Sequence, residues 1–212
     1  MALDRKMTRL AEASSEAIAN AAACLRAGGL VAMPTETVYG LAANATSDVA
    51  VAAIYAAKER PAINPLISHV LDIETAREHA IFGLKAETLA RAFWPGPLTL
   101  VLPIALTCRI SLLARAGLNT VALRSPSHET ARALIDAAGV PLAAPSANRS
   151  GAVSPTTAAH VVADLEGRVD WILDAGPCRY GLESTIVGCL AGPPQLLRAG
   201  AITREAIEAV LG

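Results

Sequence analysis

The stretch GGLVAMPTETVYGL (residues 28–41) decides the fold class, because it marks a change from helix to strand to polar loop. Before it, the apolar residues of 12–27 recur at helical spacing, and Gly28-Gly29 is typical of a helix end. Leu30–Met33 is a short apolar run closed by Pro34, which predicts a buried strand that enters a loop. Helix and strand patterns continue to alternate downstream.

The remaining pattern predicts helices near residues 48–58, 73–80, 86–93, 129–138 and 157–165, with a last helix capped by Thr203. Strands are predicted near residues 65–70, 98–102, 120–123, 140–144, 171–173, 185–190 and 195–197. Interleaved elements indicate an α/β fold with helices packed on one sheet, and their uneven spacing disfavours a barrel or a dinucleotide-binding repeat. We expect residues 1–212 to form one domain.

Composition narrows the function classes. The chain of 212 residues is 53% apolar, so it has ample material for a core. A net charge of −1 and an aromatic content of 3% offer neither a broad basic face nor stacking platforms for nucleic acid. The four cysteines lack CxxC spacing, which disfavours a zinc knuckle and a disulfide framework and favours the cytoplasm. No apolar run is long enough to span a membrane.

Polar motifs follow several of the predicted strands, where side chains leave the core and line the edge of a sheet. They are PTETVYGL (34–41), KERPAINPLISH (58–69), LRSP (123–126), PSANRSG (145–151), ESTIV (183–187) and LLRAG (196–200). The motifs share small hydroxyls, amides and cations, which orient polar ligands and hold carboxylate or phosphate. The sequence therefore predicts anionic substrates.

No phosphate-binding loop of the GxxxxGK[ST] or GxGxxG type is present, so side chains must hold any nucleotide phosphates. The chain also lacks GxSxG, HExxH and a cysteine with an obvious histidine partner. These absences favour catalysis by positioning and charge neutralisation over a covalent nucleophile or a protein-bound metal.

Taken in order, PTETVYGL, the KxRP and NPLxxH block, PSAN and ESTIV resemble the YrdC-like threonylcarbamoyl-AMP synthase family over about residues 20–200. The resemblance implies a YrdC-like open, twisted, mixed sheet with flanking helices around a deep, positively charged cleft. It also implies an enzyme that joins L-threonine, bicarbonate and ATP into threonylcarbamoyl-AMP, releasing pyrophosphate. The linker and second domain of longer relatives are not expected in these residues.

The resemblance assigns roles by motif. It implies that L-threonine is bound by Thr37, His69, Arg124, Ser146 and Ser184. It implies that ATP is bound by Lys58, Arg60, Asn64, Thr120, Asn148, Thr156 and Arg198, with Lys58 and Arg60 as the catalytic pair. Magnesium is expected to arrive with ATP and to need no dedicated protein ligands. For Glu36 and Glu183 two roles stay open: each side chain braces its loop or assists proton transfer.

As a member of that family, the protein is expected to supply a separate transfer-RNA threonylcarbamoyl transferase complex that modifies adenosine 37, with little or no direct RNA binding. Two alternatives stay open from the sequence. A double-stranded RNA-binding module would bind RNA tightly and with strong salt dependence. A carbamoyltransferase domain would use carbamoyl phosphate, but the zinc-finger companion of such domains is missing.

Overall fold

The computed structural model describes residues 7–59, 61 and 64–212. Among them the helices are α1 (Ser15–Arg26), α2 (Asp48–Lys58), α3 (Ile73–Arg77), α4 (Leu84–Phe93), α5 (Glu129–Ala138), α6 (Ala158–Leu165) and α7 (Arg204–Leu211). The strands are β1 (Arg9–Glu12), β2 (Val31–Met33), β3 (Gly40–Asn44), β4 (Ile67–His69), β5 (Leu98–Pro103), β6 (Thr120–Arg124), β7 (Leu142–Ala143), β8 (Trp171–Asp174), β9 (Thr185–Gly188) and β10 (Gln195–Arg198).

All ten strands form one sheet in the order β1-β8-β2-β3-β7-β4-β6-β5-β9-β10. The sheet contains both parallel pairs, such as β4 with β6 and β5 with β9, and antiparallel pairs, such as β5 with β6. The mixed sheet with flanking helices confirms the predicted fold class.

The helix boundaries follow local sequence chemistry. Ser14, Ser47 and Thr203 each accept a backbone N–H with their hydroxyl, which caps α1, α2 and α7 as an N-cap residue should. Gly139 ends α5 in the left-handed conformation that glycine tolerates. The prediction of a helix from residue 12 was wrong at its start, because Arg9–Glu12 pairs in parallel with β8 as an edge strand.

Two apolar clusters cover different parts of the sheet. Val31 and Met33 of β2 pack with α1 and α5, while Ala32, from the opposite face of the same strand, joins the larger cluster with α2 and α6. The central strands are therefore buried on both faces, as their continuous apolar sequence requires.

The other half of the sheet is covered on one face only. Leu100 and Leu123 point into the core that α4 closes. Their neighbours on the opposite face, Val101, Ala122 and Ile186, are only half-buried. Because side chains alternate along a strand, this half of the sheet presents a second, open face, which is the floor of a cleft.

The four cysteines, Cys24, Cys108, Cys178 and Cys189, are free thiols. None of the helices in the described residues is long and apolar enough to cross a bilayer.

We predict that Leu89→Ala lowers the free energy of unfolding by about 2–5 kcal/mol, because Leu89 is fully buried where α4 meets the sheet. The matched control is Leu84→Ala on the same helix, whose side chain is 84% exposed and should matter by less than about 0.5 kcal/mol. Urea denaturation measures both, and equal losses would contradict the packing described.

Candidate functional site

A cavity of about 190 Å³ opens on the uncovered face of the sheet. Residues from segments far apart in the sequence line it. These segments are the loop after β2, the ends of β4, β6 and β10, the loop after β7, and Glu183 just before β9. Five predicted ligand-binding residues line it, namely Thr37, His69, Arg124, Ser146 and Arg198. The cavity therefore brings the separated polar motifs to one place.

Arg124 lies at the buried side of this cavity, with 4% of its side chain exposed. Its Nη2 atom lies 2.9 Å from Oε1 of Glu36, which is equally enclosed. Among the described residues neither atom has a partner with full hydrogen-bond geometry, so the contact is an ion pair that is stabilised first by the charge on Arg124. Burial alone would raise the pKa of Glu36, but the Arg124 charge holds that pKa below its usual range. Glu36 is therefore a carboxylate that neutralises and positions Arg124.

Thr37 and Thr35 extend this network. Arg124 Nη1 donates to Thr37 Oγ1 at 3.0 Å. Thr35 Oγ1 donates to the carbonyl of Val38 at 2.6 Å, so the 2.9 Å contact between the two hydroxyls is donated by Thr37. The Thr37 hydroxyl thus donates its proton to Thr35 and accepts one hydrogen bond from Arg124. Its oxygen keeps one lone pair that can accept a hydrogen bond from a ligand.

His69 faces the cavity beside Arg124, since the two residues are partners across the β4–β6 pair. Burial, and then the charge on Arg124, lower the pKa of His69 from 6.5 to about 3. The imidazole is therefore neutral at physiological pH. Its Nδ1 atom is enclosed by protein and has no hydrogen-bond partner in the described part of the chain.

Arg198 supplies the second guanidinium at the cavity. Its Nε and Nη2 atoms donate to the carbonyl of Ser184 at 3.0 and 2.9 Å, and Nη2 also donates to Ser184 Oγ at 2.9 Å. Ser184 is fully enclosed, with its hydroxyl 2.8 Å from Thr99 Oγ1, so it holds Arg198 from behind rather than lining the cavity. Glu183 lies 3.5 Å from Arg198 and accepts from Ser154, which braces this rim.

Lys58 ends α2 with a buried side chain, and its ammonium donates to the carbonyls of Ser146 and Asn148. The Asn148 amide in turn donates to the carbonyls of Arg149 and Ala152. Lys58 and Asn148 thus fix the PSAN loop that carries Ser146 into the cavity.

Besides Lys58 and Asn148, three more predicted ATP-binding residues in the described part of the chain lie outside the lining of the cavity. Thr120 is on the same face of β6 as Arg124 but four residues away, roughly 13 Å along a strand. Asn64 is exposed, and its carbonyl accepts from Tyr55. Thr156 contacts His160 at 3.4 Å. Arg60 lies outside the described residues.

Sequence reasoning selected two carboxylates that brace their loops or assist proton transfer, but it missed the arginine that each one contacts. Glu36 and Glu183 sit in PTETVYGL and ESTIV, but their sequence gives no sign of which arginine each one meets. Gly200 is a contributor that sequence reasoning missed, because an added Cβ would press on the carbonyl of Glu183 and lie 2.5 Å from Ser184 C. Only glycine allows the chain after Arg198 to approach the ESTIV segment this closely.

The fold and the site define an α/β protein with a small-molecule cleft that presents two guanidinium groups. The profile of the Sua5/YciO/YrdC family, described as "Telomere recombination", matches residues 23–200. The chain therefore belongs to the Sua5/YciO/YrdC family.

Similar proteins agree with this membership. A Bacillus subtilis protein named threonylcarbamoyl-AMP synthase is 53% identical over 201 residues, which cover 92% of this chain and 56% of the relative. The crystal structure of Pyrococcus abyssi Sua5 complexed with L-threonine matches with a TM-score of 0.91 at 47% identity, over 97% of this chain and 60% of that one. The Escherichia coli YciO structure, at 20% identity and a TM-score of 0.80, shares the fold. The chain spans only about half to three-fifths of the length of its first two relatives.

The low pKa of His69 predicts a specific pH dependence of stability. The unfolded chain takes up this proton near pH 6.5 while the folded chain resists it down to about pH 3. Stability from His69 is therefore present above pH 6.5 and is lost as pH falls towards 3, by at most about 1.4 kcal/mol per pH unit. Denaturant unfolding between about pH 4 and 7 should show a shallower slope in His69→Gln than in the wild type. His160→Gln, an exposed control, should keep the wild-type slope.

We also predict that Gly200→Ala destabilises the protein by about 1–3 kcal/mol, because its Cβ would press on main-chain atoms that cannot move aside. Gly83→Ala is the matched control, since a Cβ there meets nothing within 4 Å. Chemical denaturation compares them. A Gly200→Ala protein as stable as the control would show that the two segments do not pack as described.

Proposed function

We propose that this protein makes threonylcarbamoyl-AMP and pyrophosphate from L-threonine, bicarbonate and ATP, as a nucleotidyltransferase. The observation that carries the proposal is the combination of Arg124, a neutral His69 and Thr37 around one small cavity. A guanidinium suits the carboxylate of an amino acid, while a hydroxyl lone pair and a neutral imidazole suit its polar groups. Relatives carrying the synthase name and the relative solved with L-threonine support the same substrate.

In this proposal L-threonine occupies the enclosed end of the cavity. Its carboxylate meets Arg124, whose orientation is set by Glu36 and Thr37. Ser146 adds a hydroxyl from the PSAN loop, and Ser184 acts through Arg198. Because His69 carries no charge, it can hydrogen-bond the amino acid without repelling the ammonium group.

ATP would lie along the open floor of the sheet towards Thr120. Arg198 stays protonated and faces the cavity, where it can offset the charge that develops as pyrophosphate leaves. Burial and then the nearby Arg124 lower the pKa of Arg198, against the opposing effect of Glu183. Lys58 and Asn148 act on the nucleotide side through the PSAN loop that they fix, while Arg60, Asn64 and Thr156 are assigned to it from the sequence resemblance.

The chain's own residues position the reactants, and magnesium arriving with ATP as part of the substrate would offset phosphate charge. Bicarbonate and the threonine amine would form a carbamate with loss of water, and a carbamate oxygen would attack the α-phosphate near Arg198 and expel pyrophosphate. We assign the product to a separate transferase complex that modifies adenosine 37 of transfer RNA, and we place the protein in the cytoplasm.

The test is pyrophosphate release from the purified chain with MgATP and bicarbonate. We expect release to require L-threonine and bicarbonate, and L-serine, which lacks the methyl group, to be roughly 10- to 100-fold less efficient. Arg198→Gln and Arg60→Ala should each reduce threonine-dependent release by at least about 100-fold, because a charge on the phosphate side is removed.

Arg91→Gln is the matched control, since that arginine lies on α4 with its side chain 65% exposed and pairs with Glu87. It should release pyrophosphate at the wild-type rate. Release that ignores threonine or bicarbonate, or no release at all, would refute the proposal for this chain. Titration with double-stranded RNA then tests the binding-module alternative by its salt dependence.

A further inference from the structure

A second cavity, of about 340 Å³, lies between the end of α5 and the segment that follows β4. Val70, Leu71, Ile135 and Val140 form its apolar wall. Val70 directly follows His69 and, as strand side chains alternate, faces the other side of the sheet from the cavity described above. The volume falls within the range of small-molecule sites.

His79 provides a hydrogen-bond donor in this cavity. Its side chain is 3% exposed, and its Nδ1 accepts the backbone N–H of Arg109 at 3.4 Å. Burial lowers the pKa of His79, so the ring is neutral and the proton resides on Nε2. No described residue hydrogen-bonds Nε2, and this atom is not completely enclosed by protein. Because the ring lines the cavity, the N–H faces that cavity.

Two threonine hydroxyls in the wall can only accept. Thr46 Oγ1 donates to Asn44 Oδ1 at 2.8 Å, and Thr75 Oγ1 donates to Asp72 Oδ1 at 2.7 Å. Both protons are therefore committed to neighbouring side chains, and the oxygen lone pairs remain for a donor in the cavity.

Charges of both signs line the same space. Arg109, Glu78 and Asp136 all belong to the lining, and none forms an ion pair within the described part of the chain. Taken by themselves, these three residues could be ordinary surface charges in contact with solvent. They do not explain an imidazole N–H that faces the cavity beside Arg109 and opposite an apolar wall.

We propose that this second cavity binds a small α-amino acid with an aliphatic side chain. The carboxylate would accept from Arg109 and from His79 Nε2–H. The ammonium group would meet Asp136 and Glu78 together with the threonine oxygens, and the side chain would lie against Val70 and its neighbours. The cavity shares no lining residue with the proposed threonine site, so the inference does not depend on the proposed function.

The experiment is calorimetric titration of the full chain with L-valine as the probe. We expect saturable binding that weakens at least tenfold in Arg109→Gln. Isovalerate, which lacks the ammonium group, and isobutylamine, which lacks the carboxylate, should each bind at least tenfold more weakly. Lys85→Gln removes one exposed positive charge outside the cavity and should bind valine like the wild type.

A further variant separates the two cavities. Valine binding retained in Arg124→Gln but lost in Arg109→Gln supports the proposal. The reverse pattern would place valine in the first cavity, and no saturable binding up to about 10 mM would mean no site of useful affinity; either result overturns it. If Arg124→Gln does not fold, Thr37→Val removes a first-cavity contact instead. The valine titration measures binding alone, so its outcome can be read even if the chain releases no pyrophosphate.

Discussion

Arg124 and Glu36 meet at 2.9 Å where each side chain is at most 5% exposed. A buried guanidinium without a counter-charge is strongly destabilising, so the site can hold a cation here only because a carboxylate accompanies it. Glu36 and Thr37 come from the same loop after β2, and both contact this one guanidinium. The loop therefore sets the orientation of Arg124. Burial, and after it the Arg124 charge, lower the pKa of His69 and keep its ring neutral.

The same constraint explains why the site lies on the half-covered part of the sheet. The central strands are buried on both faces and have no room for a ligand. Towards β4, β6, β5 and β9 one face remains open, and the ends of β4 and β6 place His69 and Arg124 side by side there. Turns after neighbouring strands complete the walls. The open face of the sheet thus forms the base of the cleft, and the loops carry most of its polar and charged side chains.

Much of this arrangement could be predicted from sequence. Strong local signals, such as the N-cap residues and the apolar runs of β5 and β6, gave elements close to those observed. β1 and β3 were missed for a physical reason. The exposed residues of Arg9–Glu12 lack an apolar pattern, and Gly40–Asn44 is a strand of small residues whose extended shape comes from pairing with β2 and β7.

The candidate site was also predicted in part. Composition identified the cationic and hydroxyl-bearing motifs, and five of the residues chosen from them line one cavity. Sequence alone could not show that Ser184 and Lys58 work behind the surface, since this depends on hydrogen bonds made across the fold. The pairing of Glu36 with Arg124, 88 positions later in the chain, is likewise a tertiary contact without a local signal.

The half-buried floor formed by Val101, Ala122 and Ile186 has a thermodynamic consequence. Water that fills the cleft must lie against aliphatic side chains with which it cannot form hydrogen bonds. A ligand that covers this floor releases that water into bulk solvent. Association at the charged rim would then carry the negative heat-capacity change of apolar burial, and its enthalpy would become more favourable as temperature rises.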